Sequence, residues 1–342
     1  MAAEGAFIEE KTDRPLESRF FPNKIGGPPA WLDLKNLPPV SEILCDDCQS
    51  PRHFLCQLYS PVEEKDTAFH RTIFVFVCLS EKCFQLGSNK NFIVFRNQLP
   101  RHNSFYPAFA DGIDLRTDIT CSNFGCNLCC LCGIKEEVQC ERCKERFCSA
   151  HHENLHTKYC SNSHSTVSQK DKILLREFGL SDPEDLSDVD DEPDEPTHNS
   201  EEVAEICQKF SQFNSPQDDA VLEDIFKTCS ETSHDKTFLK FKARMSDYPD
   251  LIIRFSRNNP LWSSDQYQPT AESIPLCEYC SSPREFEFQV LPQLLNYLKL
   301  DRGGNLQPGV LDWGTLAVYT CKNSCDKGPP YKKEFLWKQD LL

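Results

Sequence analysis

Twenty cysteines, many of them in close pairs, constrain what this 342-residue chain can fold into more than any other feature. The pairs form a repeat. One copy reads Cys45-Asp-Asp-Cys48-Gln-Ser-Pro-Arg-His-Phe54, the other Cys277-Glu-Tyr-Cys280-Ser-Ser-Pro-Arg-Glu-Phe286. A strand-like run follows each and ends in a second pair: Thr72–Val77 leads to Cys78 and Cys83, Thr315–Thr320 to Cys321 and Cys325. Self-similar segments this far apart imply two copies of one structural unit. What recurs is metal-ligand and strand residues rather than catalytic groups. The repeat therefore predicts a scaffold held by metal.

Composition narrows the partners. A net charge of −16 repels phosphate backbones, so neither nucleic acid nor a membrane is an expected partner. The charge favours a basic protein; its plainer reading is solubility. The first ten residues show no basic stretch followed by an apolar one, which predicts no secretory signal. The longest clean apolar run, Ile73–Leu79, is far too short to span a bilayer. In a reducing compartment, Cys-x2-Cys spacing reads as zinc ligation rather than disulfide bonding.

The central cluster is the densest: Cys129-x2-Cys132-x7-Cys140-x2-Cys143-x4-Cys148-x3-His152-x3-His156-x3-Cys160. Eight potential ligands this regular suit two tetrahedral zinc sites. The outer repeats offer four cysteines each: Cys45, Cys48, Cys78 and Cys83, then Cys277, Cys280, Cys321 and Cys325. A Cys-x2-Cys knuckle with a distant second pair is a zinc-ribbon arrangement; the competing reading is reduced core cysteines. Four protein ligands close a site, so no metal-activated water is expected. There is no Gly-rich phosphate loop, GxSxG or HExxH, and no enzyme is expected. Cys56 and Cys207 sit among apolar neighbours. Cys121, Cys126 and Cys130 crowd the central cluster and could compete as ligands, as could His151. Cys229 is unassigned. Asp265 and the pair Asp111 and Asp114 read as solvated loop carboxylates.

Along the chain, residues 1–24 are polar and expected to be loosely held. A first β unit spans 25–118, with strands at Phe54–Tyr59, Arg71–Val77 and Phe92–Arg96. The cysteine cluster fills 121–160. A short helix is expected within 161–180, with Ile173, Leu174, Leu175 and Phe178 on one side. Residues 181–202 carry eleven Asp or Glu, three prolines and no Lys or Arg. That predicts a disordered acidic linker over 181–218; an acidic arm that captures a basic partner is the sharper alternative. Over 219–247, Val221, Leu222, Ile225 and Phe226 make one helical face, and Phe238, Leu239, Phe241 and Met245 another. Tyr248-Pro249 ends it. The second β unit completes 219–342, with strands at Glu285–Val290, Thr315–Thr320 and Glu334–Lys338. Trp31, Trp262, Trp313 and Trp337 suit core packing for at least three; a groove for an extended peptide is the sharper reading.

The central spacing resembles the MYND zinc finger, in which two sites interleave. That resemblance implies one site of Cys129, Cys132, Cys148 and His152, and a second of Cys140, Cys143, His156 and Cys160. His152 stands where most such fingers have cysteine, and the stretch before His156 is shorter than usual. Over nearly its whole length the chain is similar to the programmed cell death protein 2 family. The likeness rests on Gly26-Gly27-x-Pro-Ala-Trp31-Leu32, the Cys45 unit, Ala68–Thr72 with Phe74–Cys78, and Val94-Phe95-Arg96-x-Gln98-Leu99-Pro100. Glu285–Leu298 and Leu311–Cys321 are its most specific part.

The resemblance implies a dedicated chaperone or adaptor for a basic protein, ribosomal protein two of the 40S subunit, in small-subunit biogenesis, with passage between cytoplasm and nucleus. A MYND-type adaptor docking proline-rich peptides in nuclear transcription complexes is the alternative. The expected architecture is mainly β, α+β overall. Two related zinc-ribbon-like β lobes pack as one composite domain, with the finger inserted and a few helices. Zn2+ is the expected cofactor, two ions in the finger and one in each lobe. Cys45 and Cys277 should hold equivalent positions, with the halves packed together.

Overall fold

The apolar runs become strands, and almost all of them join one sheet. A computed structural model describes residues 4–9, 14–108, 119–157, 160, 173–182, 184–185, 234–256, 259–298 and 311–340. In chain order the elements are β1 (Glu4–Glu9), β2 (Lys24–Ile25), α1 (Val40–Ile43), β3 (His53–Tyr59), β4 (His70–Val77) and β5 (Phe92–Leu99). Then come β6 (Val138–Gln139), β7 (Arg146–Phe147), α2 (Ala150–Thr157), β8 (Phe178–Leu180) and β9 (Glu184–Asp185). The C-terminal part holds α3 (His234–Asp247), β10 (Leu251–Phe255), β11 (Arg284–Val290), α4 (Leu294–Leu298), β12 (Thr315–Cys321) and β13 (Tyr331–Gln339).

Eleven strands run in the order β10-β11-β12-β13-β5-β4-β3-β2-β8-β1-β9, and a β10–β1 pairing closes the sheet on itself. Every strand pairing is antiparallel. The period-2 rule divides the side chains. Leu58, Val75, Val94, Phe288, Val318 and Leu336 fill the interior with Trp313. Alternate residues point outward. On the β3–β5 side, Phe54, Phe74, Phe76 and Phe95 lie under a second apolar layer shared with Trp31, Leu131, Ile134 and Phe147. That layer is why β4 is buried along its whole length.

The two halves meet where β5 pairs with β13, Asn97 opposite Tyr331 and Val94 opposite Glu334. The strand order on either side of this seam is mirrored: β2-β3-β4-β5 faces β10-β11-β12-β13. The equivalence reaches single residues. β3 shifts register between Phe54 and Cys56, β11 between Phe286 and Phe288. Those bulges fall at the same place in each copy of the repeated motif. Cys45 and Cys277 begin matching turns, as expected of two packed halves.

Three expectations change. The N-terminal segment is not loose: Glu4–Glu9 pairs with β10, β8 and β9, and Ala6 is fully buried. Its polar composition conceals the few inward positions a central strand needs. In the segment expected to be helical, Phe178–Leu180 form a strand between β1 and β2; residues 161–172 lie outside the described residues. Pairing on both edges overrides a weak helical pattern. The start of the acidic linker is also structured, Glu184 and Asp185 pairing with Gly5 and Glu4; residues 186–218 lie outside the described residues. Of the expected 219–247 helix, α3 accounts for His234–Asp247, and Val221, Leu222, Ile225 and Phe226 lie outside the described residues. Leu239, Phe241 and Met245 are buried, whereas Phe238 is exposed.

Candidate metal centres

Four tight turns place the ligand-type residues. In each Cys-x2-Cys segment the first cysteine's carbonyl accepts from the N–H of the residue just past the second cysteine. These bonds are Gln49 to Cys45 and Ser281 to Cys277, both 2.8 Å, and Gly133 to Cys129 and Lys144 to Cys140, both 2.9 Å. The first cysteine's own N–H donates one residue further on, to Ser50, Ser282, Ile134 and Glu145. The turn requires a left-handed residue after the second cysteine. Gln49 (φ 57°), Ser281 (60°), Lys144 (64°) and Gly133 (73°) supply it. At Gly133 a side chain is also excluded by space, since an added Cβ would lie 2.7 Å from the Pro28 Cβ. Such turns aim both thiols of a pair at one point.

Second pairs then converge on each turn, and the structure gathers all sixteen expected ligands into four groups. Cys45, Cys48, Cys78 and Cys83 form the first, and Cys277, Cys280, Cys321 and Cys325 its counterpart. Cys129, Cys132, Cys148 and His152 form a third; Cys140, Cys143, His156 and Cys160 a fourth. Within every group the ligand atoms lie within 4.8 Å of one another. α2 carries His152 and His156 one turn apart, the spacing that puts both on one helix face. His152 presents Nδ1, 3.2 Å from the Cys148 sulfur and 3.6 Å from Cys129. His156 presents Nε2, 3.0 Å from Cys143.

The donor sets fit zinc. Tetrahedral ligation at a Zn–S distance of about 2.3 Å puts neighbouring sulfurs about 3.8 Å apart. The sulfur pairs Cys48–Cys78 (3.6 Å), Cys132–Cys148 (3.6 Å), Cys140–Cys160 (3.8 Å), Cys277–Cys325 (3.7 Å) and Cys280–Cys321 (3.5 Å) match it. Without a cation the thiols oppose one another's ionisation. Burial and the neighbouring sulfurs push Cys83 up to about 11 and Cys325 up to about 12. At Cys280 the Ser282 hydroxyl and N–H pull the other way, to about 6. At Cys48 the Ser50 groups outweigh burial, giving about 7. A dication would neutralise such a crowd of thiolates. Four clusters of this kind can hold zinc.

The other cysteines named from the sequence stand apart from these groups. Cys56 is buried inside the sheet. Cys121 and Cys126 are buried in the outer apolar layer, with Cys130 packed beside it. His151 is exposed and belongs to no group. Cys207, Cys229, Asp111 and Asp114 lie outside the described residues. Trp31 and Trp313 are core, while Trp262 and Trp337 are half-buried.

Several supporting residues escaped the metal-centred reading. Arg52 and Arg284 occupy the same place in the two copies. Each guanidinium reaches back to a carbonyl just before its knuckle, Arg52 to Leu44 and Arg284 to Leu276 at 2.7 Å. The repeated Ser-Pro-Arg was the available signal. Gln57 and Gln289 each clamp a loop residue at both ends: Gln57 holds Ala30 N–H and C=O at 2.8 and 3.2 Å, and Gln289 holds those of Leu261 at 2.6 and 2.9 Å. Trp31 and Trp262 directly follow the clamped residues. An ion pair between buried Arg71 and half-buried Glu287, 2.7 Å through both nitrogens, ties the halves together.

These features define a closed, mainly β protein of two related halves with four zinc-suited Cys/His clusters. Comparison with known proteins gives the family. The family model described as "Programmed cell death protein 2, N-terminal domain" matches residues 4–111, and "Programmed cell death protein 2, C-terminal putative domain" matches 235–340. Programmed cell death protein 2 of Mus musculus is 36% identical over 98% of this chain and 95% of its own length. The Rattus norvegicus protein is 36% identical over 100% and 97%. The chain belongs to the programmed cell death protein 2 family. A more distant relative is the Schizosaccharomyces pombe "Probable 20S rRNA accumulation protein 4", 30% identical over 31% of this chain and 27% of that protein. No solved structure matches.

Proposed function

We propose that the protein is a zinc-binding chaperone or adaptor for a basic ribosomal protein, ribosomal protein two of the 40S subunit, in small-subunit biogenesis. The observation that carries the reading is near-full-length kinship with one family, together with a partial likeness of this chain to a protein named for 20S rRNA accumulation. The net charge of −16 suits a basic client. The central clusters act as a MYND-type finger holding two zinc ions, and the outer two as zinc-ribbon sites holding one each. Fully ligated, none has an open position for substrate, so the protein binds rather than catalyses. It works in cytoplasm and nucleus, where a client is made and where it is assembled.

Client capture uses the outer surface of the sheet, because the closed ring leaves little strand edge to extend. Affinity purification from cells tests the reading. A 40S ribosomal protein should enrich with the full chain, and depletion of the chain should lower 40S subunits relative to 60S. No such enrichment, with normal 40S levels after depletion, would end it.

A further inference from the structure

The mirrored halves differ most on their outer faces. On the first half, Phe54 lies opposite Phe76, Phe76 opposite Ile93, and Phe74 opposite Phe95. This aromatic face is roofed by the central finger. Trp31 stacks on Phe76 and donates its indole N–H to the Gly133 carbonyl at 2.8 Å. Leu44, just before the first knuckle, packs against the same layer.

The second half repeats the face without the finger; among the described residues only the short 261–268 loop crosses one end of it, where Trp337 donates its indole N–H to the Tyr267 carbonyl at 2.8 Å. Phe286 lies opposite Tyr319, Tyr319 opposite Phe335, and Ala317 opposite Trp337. The rings form a row: Phe286–Tyr319 5.8 Å, Tyr319–Phe335 6.2 Å and Phe335–Trp337 6.5 Å between centroids. Phe286, Phe335 and Trp337 are half-buried at the surface, with Tyr319 buried between them. Leu276, the counterpart of Leu44, is 57% exposed, and Tyr267 at the Trp337 end is 61% exposed.

Charge says what should cover it. Residues 262–289 contain Asp265, Glu272, Glu278, Glu285 and Glu287 against one basic residue, Arg284. Arg284 is buried on Glu334 at 2.8 Å and offers nothing to the surface. Glu272, Glu278 and Glu285 are exposed. Lys322 meets Glu285 at 2.6 Å, and Lys333 lies 3.9 Å from Glu42. Among the described residues of 262–340, the exposed Glu272, Glu278, Glu285 and Asp326 outnumber the exposed Lys322 and Lys327, so the second half presents net negative charge beside these rings.

We propose that the face formed by Phe286, Phe335 and Trp337 over the buried Tyr319 docks a basic polypeptide segment of a partner protein, one bearing apolar side chains, in the place the finger takes on the first half. This locates the client surface of the function proposed above and rests on that reading for the partner's origin. The apolar side chains lie on the ring row and the Lys or Arg groups meet Glu272, Glu278 and Glu285, so binding weakens with salt.

The test uses the full zinc-loaded chain. Its probes are tiled peptides from 40S ribosomal proteins, one unrelated basic peptide rich in Phe and Leu, and matched peptides with Lys and Arg changed to Glu, or with apolar residues changed to Ser. Binding is read by fluorescence anisotropy. Peptides that are both basic and apolar should bind, and both kinds of matched peptide should fail. Phe335→Ser should weaken binding about tenfold or more, and Glu278→Lys about threefold with a shallower salt dependence. Leu86→Ser, at a site 77% exposed on the first half, should change nothing. Zinc content and melting temperature show that each variant is folded; Glu278→Lys keeps the test open should Phe335→Ser misfold. Unchanged binding by folded Phe335→Ser and Glu278→Lys overturns the proposal. So does a self-association that Phe335→Ser abolishes, because a second copy then owns the face. If a 40S protein copurifies equally with wild type and Phe335→Ser, the docking proposal fails and the proposed function stands. If only the unrelated basic peptide binds, and Phe335→Ser loses it, the docking proposal stands and the ribosomal reading fails.

Discussion

Glu287 shows how one residue can join two halves. It sits at the β11 bulge and accepts from Arg71, Ser60 and Thr320. Burial alone would raise its pKa; the Arg71 charge and the three hydrogen-bond donors outweigh that and hold it at about 2. A folded-state carboxyl depressed in this way contributes stability above its unfolded value of about 4.3, and the contribution is lost as pH falls towards 2. Removing one partner of such a pair costs about 3–5 kcal/mol. Glu287→Gln should therefore unfold at lower denaturant than wild type at pH 7, and the gap should narrow as pH drops from about 5 towards 2. A constant gap across that range would mean the carboxylate charge is not what stabilises the fold. The sequence showed Glu287 only as a letter in a repeated strand. Its partner Arg71 is distant in the chain, and no spacing rule reveals a pair made by a bulge.

At the scale of elements, the knuckles and α2 carry the site. Each knuckle is a local turn whose left-handed position follows the second cysteine, so its form was legible from Cys-x2-Cys itself. Gly133 is the most constrained of the four, with Pro28 pressed against it. Gly133→Ala should lower thermal stability by about 1–3 kcal/mol, while Lys144→Gly, in the same conformation without that contact, should change it by under about 1 kcal/mol. Calorimetric or denaturant melts check the contrast. The centres are separable by metal count. Native mass spectrometry should find four zinc ions per chain, and His156→Ala should remove one while leaving those of the Cys45 and Cys277 clusters. Loss of all four together would show that the clusters fold only as a unit. Sequence periodicity served the short elements poorly. Phe178–Leu180 looked helical beside Ile173–Leu175, yet β1 and β2 supply hydrogen bonds on both its edges. Glu184 and Asp185 look like linker and are drawn in by β1.

At the scale of the molecule, closure depends on a segment that composition made look dispensable. β1 links β10 to β8 and completes the ring. Deleting residues 4–9 should expose the edges of β10 and β8. The variant should melt less cooperatively and aggregate, as measured by scanning calorimetry and light scattering. A melt as sharp as that of the full chain would mean the ring does not need this strand.

By itself the sequence determined the repeated motif, the sixteen cysteine and histidine residues that cluster, the family and the strands with long apolar runs. These are local: a CxxC turn or a β-branched run reports its geometry within ten residues. The tertiary structure decided the rest. The seam between β5 and β13, the ring closure through β1, the Arg71–Glu287 bond and the difference between a fully covered and a half-exposed aromatic face all depend on which distant segments meet. That choice comes from burial and hydrogen-bond pairing summed over the whole chain, and no single stretch of sequence records it.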